Sequence, residues 1–437
     1  MDTLISNVTA VTMNPRMEVI FGAYIGIEDG KIVSIERKPP AEAPKAIVDG
    51  TGMVAIPGLI NCHTHLATAS LRCFTDDLGN TEALQALLQK EAKMDSRSAK
   101  AAALLAIAEC LRFGVTSVSD LYYYPNATAE AVAESGIKAN LALSSYRFID
   151  ENEDFDFETD EQCRELVKVT EKWNGFDDGR IKIDFSLHAE YTSTEPLVRR
   201  LVDEIRRQNG QRVQMHVSET KLEHEECKAR HGGRTPAQYL RDCGLFDVPT
   251  TAAHCVWSEP EDLEIFREKG VTIAHCPKSN LKLASGVLDV PRAWAHGVKV
   301  GMATDGVASN NNLNMLEEIR VFALTQRVRA DDPTVITPAE ALHAATRVGA
   351  LSQGRADCGE IREGFKADLV LFNLDTPWCT PEHNMLNNLL WAACGTDIVM
   401  TVSDGRVVYR DGEWPTIDVE KAKAEAERVK NRILSQM

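Results

Sequence analysis

The chain has 437 residues, of which 44% are hydrophobic, so a sizeable core with a smaller accompanying unit is expected. Its formal net charge of −17 argues against nucleic acid or an anionic membrane as a partner, because phosphates would be repelled. The first residues lack the pattern of a signal peptide, and no apolar run approaches the roughly 20 residues that span a bilayer. Eleven cysteines without paired spacing indicate a reducing, cytoplasmic compartment.

Short strands with alternating polarity occur near both ends of the chain. In residues 1–57 they flank the turn Glu28-Asp29-Gly30-Lys31, and in residues 359–414 they flank Asp404-Gly405. Asp-Gly between apolar runs is a strong hairpin signal. Neither segment is large enough to hold a core alone. We therefore predict that the two ends meet in one small β-sandwich.

Eight short apolar runs, separated by charged and helix-like segments, occupy the middle of the chain. Such runs are expected for strands that are buried on both faces of a parallel sheet. Eight strands that alternate with helices predict an α/β fold, a (β/α)8 TIM barrel. The predicted strands are Val54–His63, Val115–Leu121, Lys138–Tyr146, Ile181–His188, Arg212–His216, Thr250–His254, Val271–His275 and Lys299–Asp305.

These elements divide the chain into three stretches. Residues 58–358 form the predicted TIM-barrel domain, between residues 1–57 and residues 359–437, which supply the two parts of the sandwich. The last stretch includes a predicted helix, Asp418–Leu434, with one narrow apolar stripe. We expect this stripe to dock on its own chain, and a contact in a homo-oligomer is the alternative.

The most informative motif is Pro57–His65, a short apolar strand that ends in two histidines. Alternate residues of a strand point to the same side, so His63 and His65 face one point. Two convergent imidazoles suit a divalent transition metal, most often zinc. Later strands also end in chemically active residues, at the end of a barrel where catalysis takes place. These residues are His188, His216, His254, His275 and Asp305.

One divalent ion, Zn²⁺ with Fe²⁺ or Mn²⁺ as alternatives, fits three imidazole nitrogens and one carboxylate oxygen. The pKa of a water on such an ion falls from about 15.7 towards ~7. Glu219 is predicted to be the general acid and base beside that water, and His254 to polarise the hydroxide. The predicted metal ligands are His63, His65, His216 and Asp305.

A second ion is not expected. A two-metal barrel usually needs a bridging lysine at the end of its fourth strand. That strand ends in Ser186-Leu187-His188, and Lys182 lies too early in it to reach the open end of the barrel.

Five segments together resemble the amidohydrolase superfamily, in its deaminase/chlorohydrolase branch, over nearly the whole chain. Within them, Ser279–Leu283 and the Asp-Gly-x-x-Ser-Asn loop are most similar to S-adenosylhomocysteine/5′-methylthioadenosine deaminases. Guanine, 8-oxoguanine and pterin deaminases and triazine hydrolases use similar motifs. The five segments are Pro57–His65, Met215–Thr220, Ala252–Trp257, His275–Gly286 and Ala303–Asn311.

The resemblance implies a hydrolytic deaminase that converts an amino-purine nucleoside to its oxo form and releases ammonia. A guanine, 8-oxoguanine or pterin-type base, or a triazine-like ring, is the alternative small-molecule heterocyclic substrate. Glu219 would protonate a ring nitrogen and help the amine leave, while His254 and Asp305 would orient and deprotonate the water. The residues expected to bind substrate are His188, Arg147, His275 and Asn280.

The chain departs from these nucleoside deaminases in its first long loop. A tryptophan that packs on the substrate is expected after Asp76-Asp77-Leu78, but none occurs before Trp173. Arg147 matches only approximately the arginine expected near the end of the third strand. The sequence therefore leaves the heterocycle open.

Overall fold

The computed structural model describes residues 1–74, 76, 78–144, 156–208 and 210–436. In chain order the strands of this part are β1 (Thr3–Val11), β2 (Val19–Glu28), β3 (Lys31–Glu36), β4 (Ala46–Asp49), β5 (Met53–Pro57), β6 (Leu59–Thr64), β7 (Val115–Tyr122), β8 (Lys138–Leu143), β9 (Ile181–Ser186), β10 (Val213–Val217), β11 (Thr250–His254), β12 (Thr272–His275), β13 (Lys299–Met302), β14 (Leu369–Asn373), β15 (Ile398–Ser403) and β16 (Arg406–Arg410).

Helices follow most of the strands of the central domain. Those of six residues or more are Asn80–Glu91, Ser96–Arg112, Pro125–Ser135, Glu161–Trp173, Glu195–Gln208, Lys221–Arg230, Pro236–Asp242, Pro260–Lys269, Pro277–Lys282, Val290–Ala295, Met315–Ala330, Pro338–His343 and Val419–Ser435. A 3-10 helix of six residues spans Leu66–Leu71, and shorter helical turns include Glu190–Thr192 and Val307–Asn310. Within the described residues, no helix is both long enough and apolar enough to cross a membrane.

Strands β6 to β13 lie side by side in chain order and form a parallel sheet. The last strand comes back to the first through polar contacts. The Asn61 side chain donates to Thr304 Oγ1 at 2.7 Å and accepts from the Thr304 backbone N–H at 3.0 Å. Beyond them, the backbone N–H of Asp305 donates to the carbonyl of His63 at 3.0 Å. The predicted TIM barrel is therefore confirmed, and its closure sets Asp305 beside His63.

The first predicted barrel strand, Val54–His63, is in fact two strands. Met53–Pro57 pairs with β1 and β14 outside the barrel, whereas Leu59–Thr64 pairs with β7 inside it. The change occurs at Gly58, whose N–H donates to the carbonyl of Asp368 at 2.9 Å. A Cβ atom at Gly58 would lie 2.1 Å from Thr116 Oγ1. The sequence did not reveal this change of sheet, because the apolar run continues through Gly58.

The other strands form one mixed sheet in the order β16-β15-β14-β5-β1-β2-β3, with β4 paired to β1. Both predicted hairpins are present, β2 with β3 and β15 with β16. Side chains from the two ends share one apolar core, for example Ile5 and Ile25 with Leu369 and Val402. The prediction that the two ends of the chain meet in one small β unit is confirmed; the unit, predicted as a β-sandwich, is a single hydrogen-bonded mixed sheet.

The C-terminal helix Val419–Ser435 lies on the helix Ser96–Arg112. Arg432 donates to Ser98 Oγ at 2.6 Å across this contact. The predicted stripe docks on its own chain, with Ala422, Ala426, Val429 and Ile433 buried.

Lys138 joins the amino-terminal end of the barrel strands to the small sheet. Its side chain is only 2% exposed, and its ammonium contacts the carboxylates of Asp368 and Asp404, the latter at 2.8 Å. Burial opposes the charge on Lys138, but these two carboxylates outweigh it and raise the lysine pKa. The two units therefore meet through one buried lysine that is paired with two carboxylates.

Replacing Lys138 with methionine should destabilise the protein by about 3–5 kcal/mol, because the buried carboxylate of Asp368 and the partly buried one of Asp404 would lose their cation. The same change at Lys100, which is 30% exposed and pairs with Glu130 and Glu134, should cost about 0–1 kcal/mol. Urea unfolding of both variants measures the difference. Equal destabilisation by the two changes would contradict the assigned role of Lys138.

Candidate active site

The carboxyl ends of β6, β10 and β13 bring four predicted residues to one point. Asp305 Oδ1 lies 3.2 Å from His65 Nε2 and 3.6 Å from His63 Nε2. His65 Nε2 lies 3.4 Å from His216 Nε2. Residues more than 240 positions apart thus share one cluster, as the barrel geometry predicts.

Backbone carbonyls fix the orientation of two of these imidazoles. His65 Nδ1 lies 2.6 Å from the carbonyl of Leu121, and His216 Nδ1 lies 2.6 Å from the carbonyl of His188. A carbonyl only accepts, so each Nδ1–H donates and the Nε2 lone pairs turn inward. Two lone pairs that face each other across 3.4 Å repel, unless a proton or a cation lies between them.

His63 supports the same interpretation. Its ring is buried, and its Nε2 atom has no hydrogen-bond partner among the described residues. An unsatisfied buried nitrogen costs about 1–3 kcal/mol, so a native protein usually gives it a partner. A metal ion at the centre of the cluster would provide one. The donor set therefore fits a divalent ion.

The Asp305 carboxylate is held by several donors. Its Oδ2 accepts from the hydroxyls of Ser279 and Ser309 at 2.7 Å each, and its Oδ1 accepts from the Gly306 N–H at 2.7 Å. Burial opposes its negative charge, but the neighbouring histidines outweigh this and hold the Asp305 pKa well below its usual range. The carboxylate is thus ionised and pointed at the cluster.

The imidazoles differ in their affinity for protons. Burial lowers the pKa of His63 to about 4 and that of His188 to about 3. Burial also opposes a proton on His65, but the hydrogen bond and charge of Asp305 outweigh it and raise that pKa to about 9. A metal ion would have to displace a proton from His65 before binding there.

Glu219 and His254 lie next to this cluster. Glu219 Oε2 is 3.8 Å from His254 Nε2, and its side chain remains 22% exposed. Burial raises the pKa of Glu219 above its usual value. His254 Nδ1 lies 2.8 Å from Asn280 Oδ1; since that oxygen only accepts, Nδ1–H donates and Nε2 faces Glu219. Burial opposes a proton on His254, but the charges of Glu219 and Asp305 outweigh it and raise the His254 pKa. An acid that can hold a proton and an imidazole that can accept one are therefore neighbours.

A cavity of about 370 Å³ opens in front of these groups. Its volume is in the range of small-molecule sites. One wall is the helix Asn80–Glu91, which contributes mostly apolar side chains. Besides the cluster, the lining includes Ala83, Leu87, Leu88, Glu91, Tyr122, His188, Tyr191, Leu222 and Leu283.

The four predicted substrate-binding residues have different positions. Within the described part of the chain, the cavity wall includes His188 but neither Asn280 nor His275. Asn280 is buried behind His254, and His275 is buried with its ring centroid 5.5 Å from that of Phe322. Arg147 lies outside the described residues.

Lys182 lies at the opposite end of the barrel from the cluster. Its ammonium donates to the carbonyl of Gly354 at 2.8 Å, whereas His188 follows the other end of the same strand. Lys182 therefore lies away from the cluster, and the number of ions stays a prediction.

Sequence reasoning missed several residues of the site. Ser279 and Ser309 belong to recognised motifs, and their spacing from Asp305 could have indicated hydrogen bonding. Glu91 lines the cavity, and burial raises its pKa to about 7. Nothing in its charged sequence context distinguishes it from a solvent-facing glutamate. The same holds for Glu223, which also lies in the cavity wall.

The similar proteins include several that are named as deaminases of adenosine or its derivatives. A 5-methylthioadenosine/S-adenosylhomocysteine deaminase of Dictyoglomus thermophilum is 40% identical over 385 residues, which are 87% of this chain and 88% of that protein. A 5′-deoxyadenosine deaminase of Methanosarcina mazei is 34% identical over 100% of this chain and 99% of its own. A solved adenosine deaminase from Xanthomonas campestris with bound zinc has a TM-score of 0.92 at 29% identity and covers 99% of both chains.

The model of the amidohydrolase family matches residues 54–408. This range includes the whole barrel, the four clustered residues, and strands β14 and β15 of the small sheet. The chain belongs to the amidohydrolase family.

Proposed function

We propose that the protein is a metal-dependent hydrolytic deaminase of adenosine-type nucleosides such as S-adenosylhomocysteine or 5′-methylthioadenosine. The observation that carries this proposal is the convergence of three imidazoles and an aspartate beside Glu219, at the base of a cavity. The relatives named for deamination of such nucleosides, which match nearly the full chain, support the substrate class.

In this proposal a single ion is held by His63, His65, His216 and Asp305. When bound, it supplies a Lewis acid that makes hydroxide accessible at neutral pH. Zinc is our first choice because a solved relative contains it, and ferrous iron or manganese would fit the same donors.

The chain's own residues move the protons. His254 and Asp305 orient the attacking water and accept its proton. Water oxygen adds to the amine-bearing ring carbon, while Glu219 donates a proton to the adjacent ring nitrogen. Glu219, now ionised, takes the proton of the added hydroxyl group and passes it to the amine. The C–N bond breaks, ammonia leaves and the ring carbon becomes a carbonyl.

The rest of the cavity suits a nucleoside better than a free base. It extends from Glu219 along the helix Asn80–Glu91, past the apolar side chains of Leu87 and Leu88. The Glu91 carboxylate faces the same space and can accept hydrogen bonds from sugar hydroxyls. His188 also lines the cavity, with its ring centroid 4.9 Å from that of His216 and 5.8 Å from that of Tyr191.

A second candidate is a deaminase of a guanine, 8-oxoguanine or pterin-type base, or a hydrolase of a triazine-like ring. The observation that favours it is the leucine-lined first helix, where an aromatic residue was expected to stack on the substrate. This candidate uses the same ion and the same Glu219.

Ammonia release from a panel of amino-heterocycles decides between these candidates. We expect 5′-methylthioadenosine, S-adenosylhomocysteine and 5′-deoxyadenosine to be deaminated, with guanine, pterins and triazines much slower. Release of only chloride or alkylamine, or turnover confined to free bases, would refute the nucleoside proposal.

His216→Ala should remove one of four donors and lower the metal content of the purified protein. Elemental analysis after dialysis measures it. His383→Ala is the matched control, because His383 is exposed and far from the cluster in sequence and structure. Full occupancy in His216→Ala would rule out ligation by His216.

Glu219→Gln should retain metal but lower kcat by roughly 10²–10⁴, the contribution of a positioned acid and base. Glu226→Gln is the control, since Glu226 also lines the cavity but is 56% exposed; its kcat should stay near that of the wild type. Steady-state ammonia release with metal analysis tests both. Near-normal turnover by Glu219→Gln would remove this residue from the mechanism.

A further inference from the structure

The backbone turns sharply between the metal-binding strand β10 and Glu219. Ser218 has a φ angle of +48°, a left-handed conformation that costs a non-glycine residue roughly 1–2 kcal/mol. This turn points the Glu219 side chain into the cavity rather than along the strand. Something outside the turn must therefore stabilise it.

Glu223 supplies that stabilisation. Its Oε1 accepts the N–H of Ser218 at 3.0 Å, and its Oε2 accepts the N–H groups of Glu219 at 2.8 Å and Thr220 at 3.4 Å. In return, the Glu223 N–H donates to Thr220 Oγ1 at 3.1 Å. This is a capping box at the start of the helix Lys221–Arg230, extended by two more N–H donors. One carboxylate thus holds the backbone of three successive residues.

The next residue of the helix holds the same turn from a second side. His224 Nδ1 lies 3.2 Å from Ser218 Oγ, and its other ring nitrogen lies 3.2 Å from Glu259. The Ser218 carbonyl accepts from the N–H of Trp257 at 3.1 Å. The Glu219 backbone is therefore fixed by side chains of the following helix.

The position of Glu223 is costly for a residue that only caps a helix. Its side chain is buried, 8% exposed, and Glu219 is close enough for the two carboxylates to repel each other. An ordinary cap is placed at the surface, as Glu340 is at the start of Pro338–His343. Because Glu223 caps the helix directly beside Glu219, it also affects the orientation of the Glu219 side chain.

We propose that Glu223 is a positioning residue of the reaction, which fixes the backbone of Glu219 and thereby aims its carboxyl group at the substrate ring nitrogen. This inference rests on the proposed function, in which Glu219 transfers the protons. Glu223 itself does not touch the reacting atoms.

The test is a double-mutant cycle with Glu223→Ala and Glu219→Gln, measured by kcat, KM and metal content on the best nucleoside of the panel. Glu223→Ala alone should lower kcat by about 10–100-fold, the cost of displacing a catalytic group by about 1 Å, with full metal content and a much smaller change in KM. In the Glu219→Gln background the same substitution should cause almost no further loss, because the group it positions is already gone. Glu223→Gln, which keeps one accepting oxygen, should lie between the wild type and Glu223→Ala.

Glu340→Ala is the matched control, since Glu340 caps its helix through the Thr337 N–H at 2.8 Å and lies away from the cavity. It should lower the thermal midpoint but leave kcat unchanged. An unchanged kcat in Glu223→Ala, or an equal loss in both backgrounds, would overturn the inference. If Glu223→Ala does not fold, the cycle with Glu223→Gln decides in the same way. Normal activity of Glu219→Gln would instead refute the proposed function.

Discussion

The structure depends on one electrostatic constraint, the convergence of ring nitrogens that repel each other unless a proton or a cation lies between them. The Nε2 atoms of His65 and His216 face each other across 3.4 Å because the carbonyls of Leu121 and His188 take up their Nδ1–H donors. The barrel supplies the force that holds them there, since each imidazole follows a buried parallel strand. Asp305 adds the negative charge that makes the cluster attractive to a cation. The fold therefore holds together a set of donors that is complete only with a proton or a cation at its centre.

Around this cluster, most of the polar groups are fixed by a second group behind them. Asn280 sets the tautomer of His254, Ser279 and Ser309 hold the Asp305 carboxylate, and Glu223 holds the Glu219 backbone. Such support keeps catalytic groups in place without any reorganisation during the reaction. It also explains why residues of several motifs lie close to the chemistry without facing the cavity.

Much of the fold and site could be predicted from the sequence, because barrel strands and their terminal residues follow a simple periodic rule. The His63-x-His65 spacing and the strand-end positions of His216 and Asp305 were sufficient to place the cluster. The change of sheet at Gly58 was not predictable, since the apolar run continues through it. Nor was the position of Asn280 behind His254, because a motif shows which residues gather but not which of them faces the substrate. Glu91 and Glu223 were not predicted either. Each lies in a helix with other charged residues, and the sequence does not show which of those charged side chains is buried.

The mixed sheet has a consequence for synthesis on the ribosome. Strand β5 pairs on one side with β1 and on the other with β14, which begins at Leu369. Translation therefore produces the whole barrel while one edge of β5 still lacks its neighbour, and an unpaired edge is a template for aggregation. The nascent chain completes this sheet only when β14, β15 and β16 emerge, from Leu369 onward. A chain that terminates before β14 would therefore leave one edge of β5 unpaired. Strand β5 directly precedes β6, which carries His63.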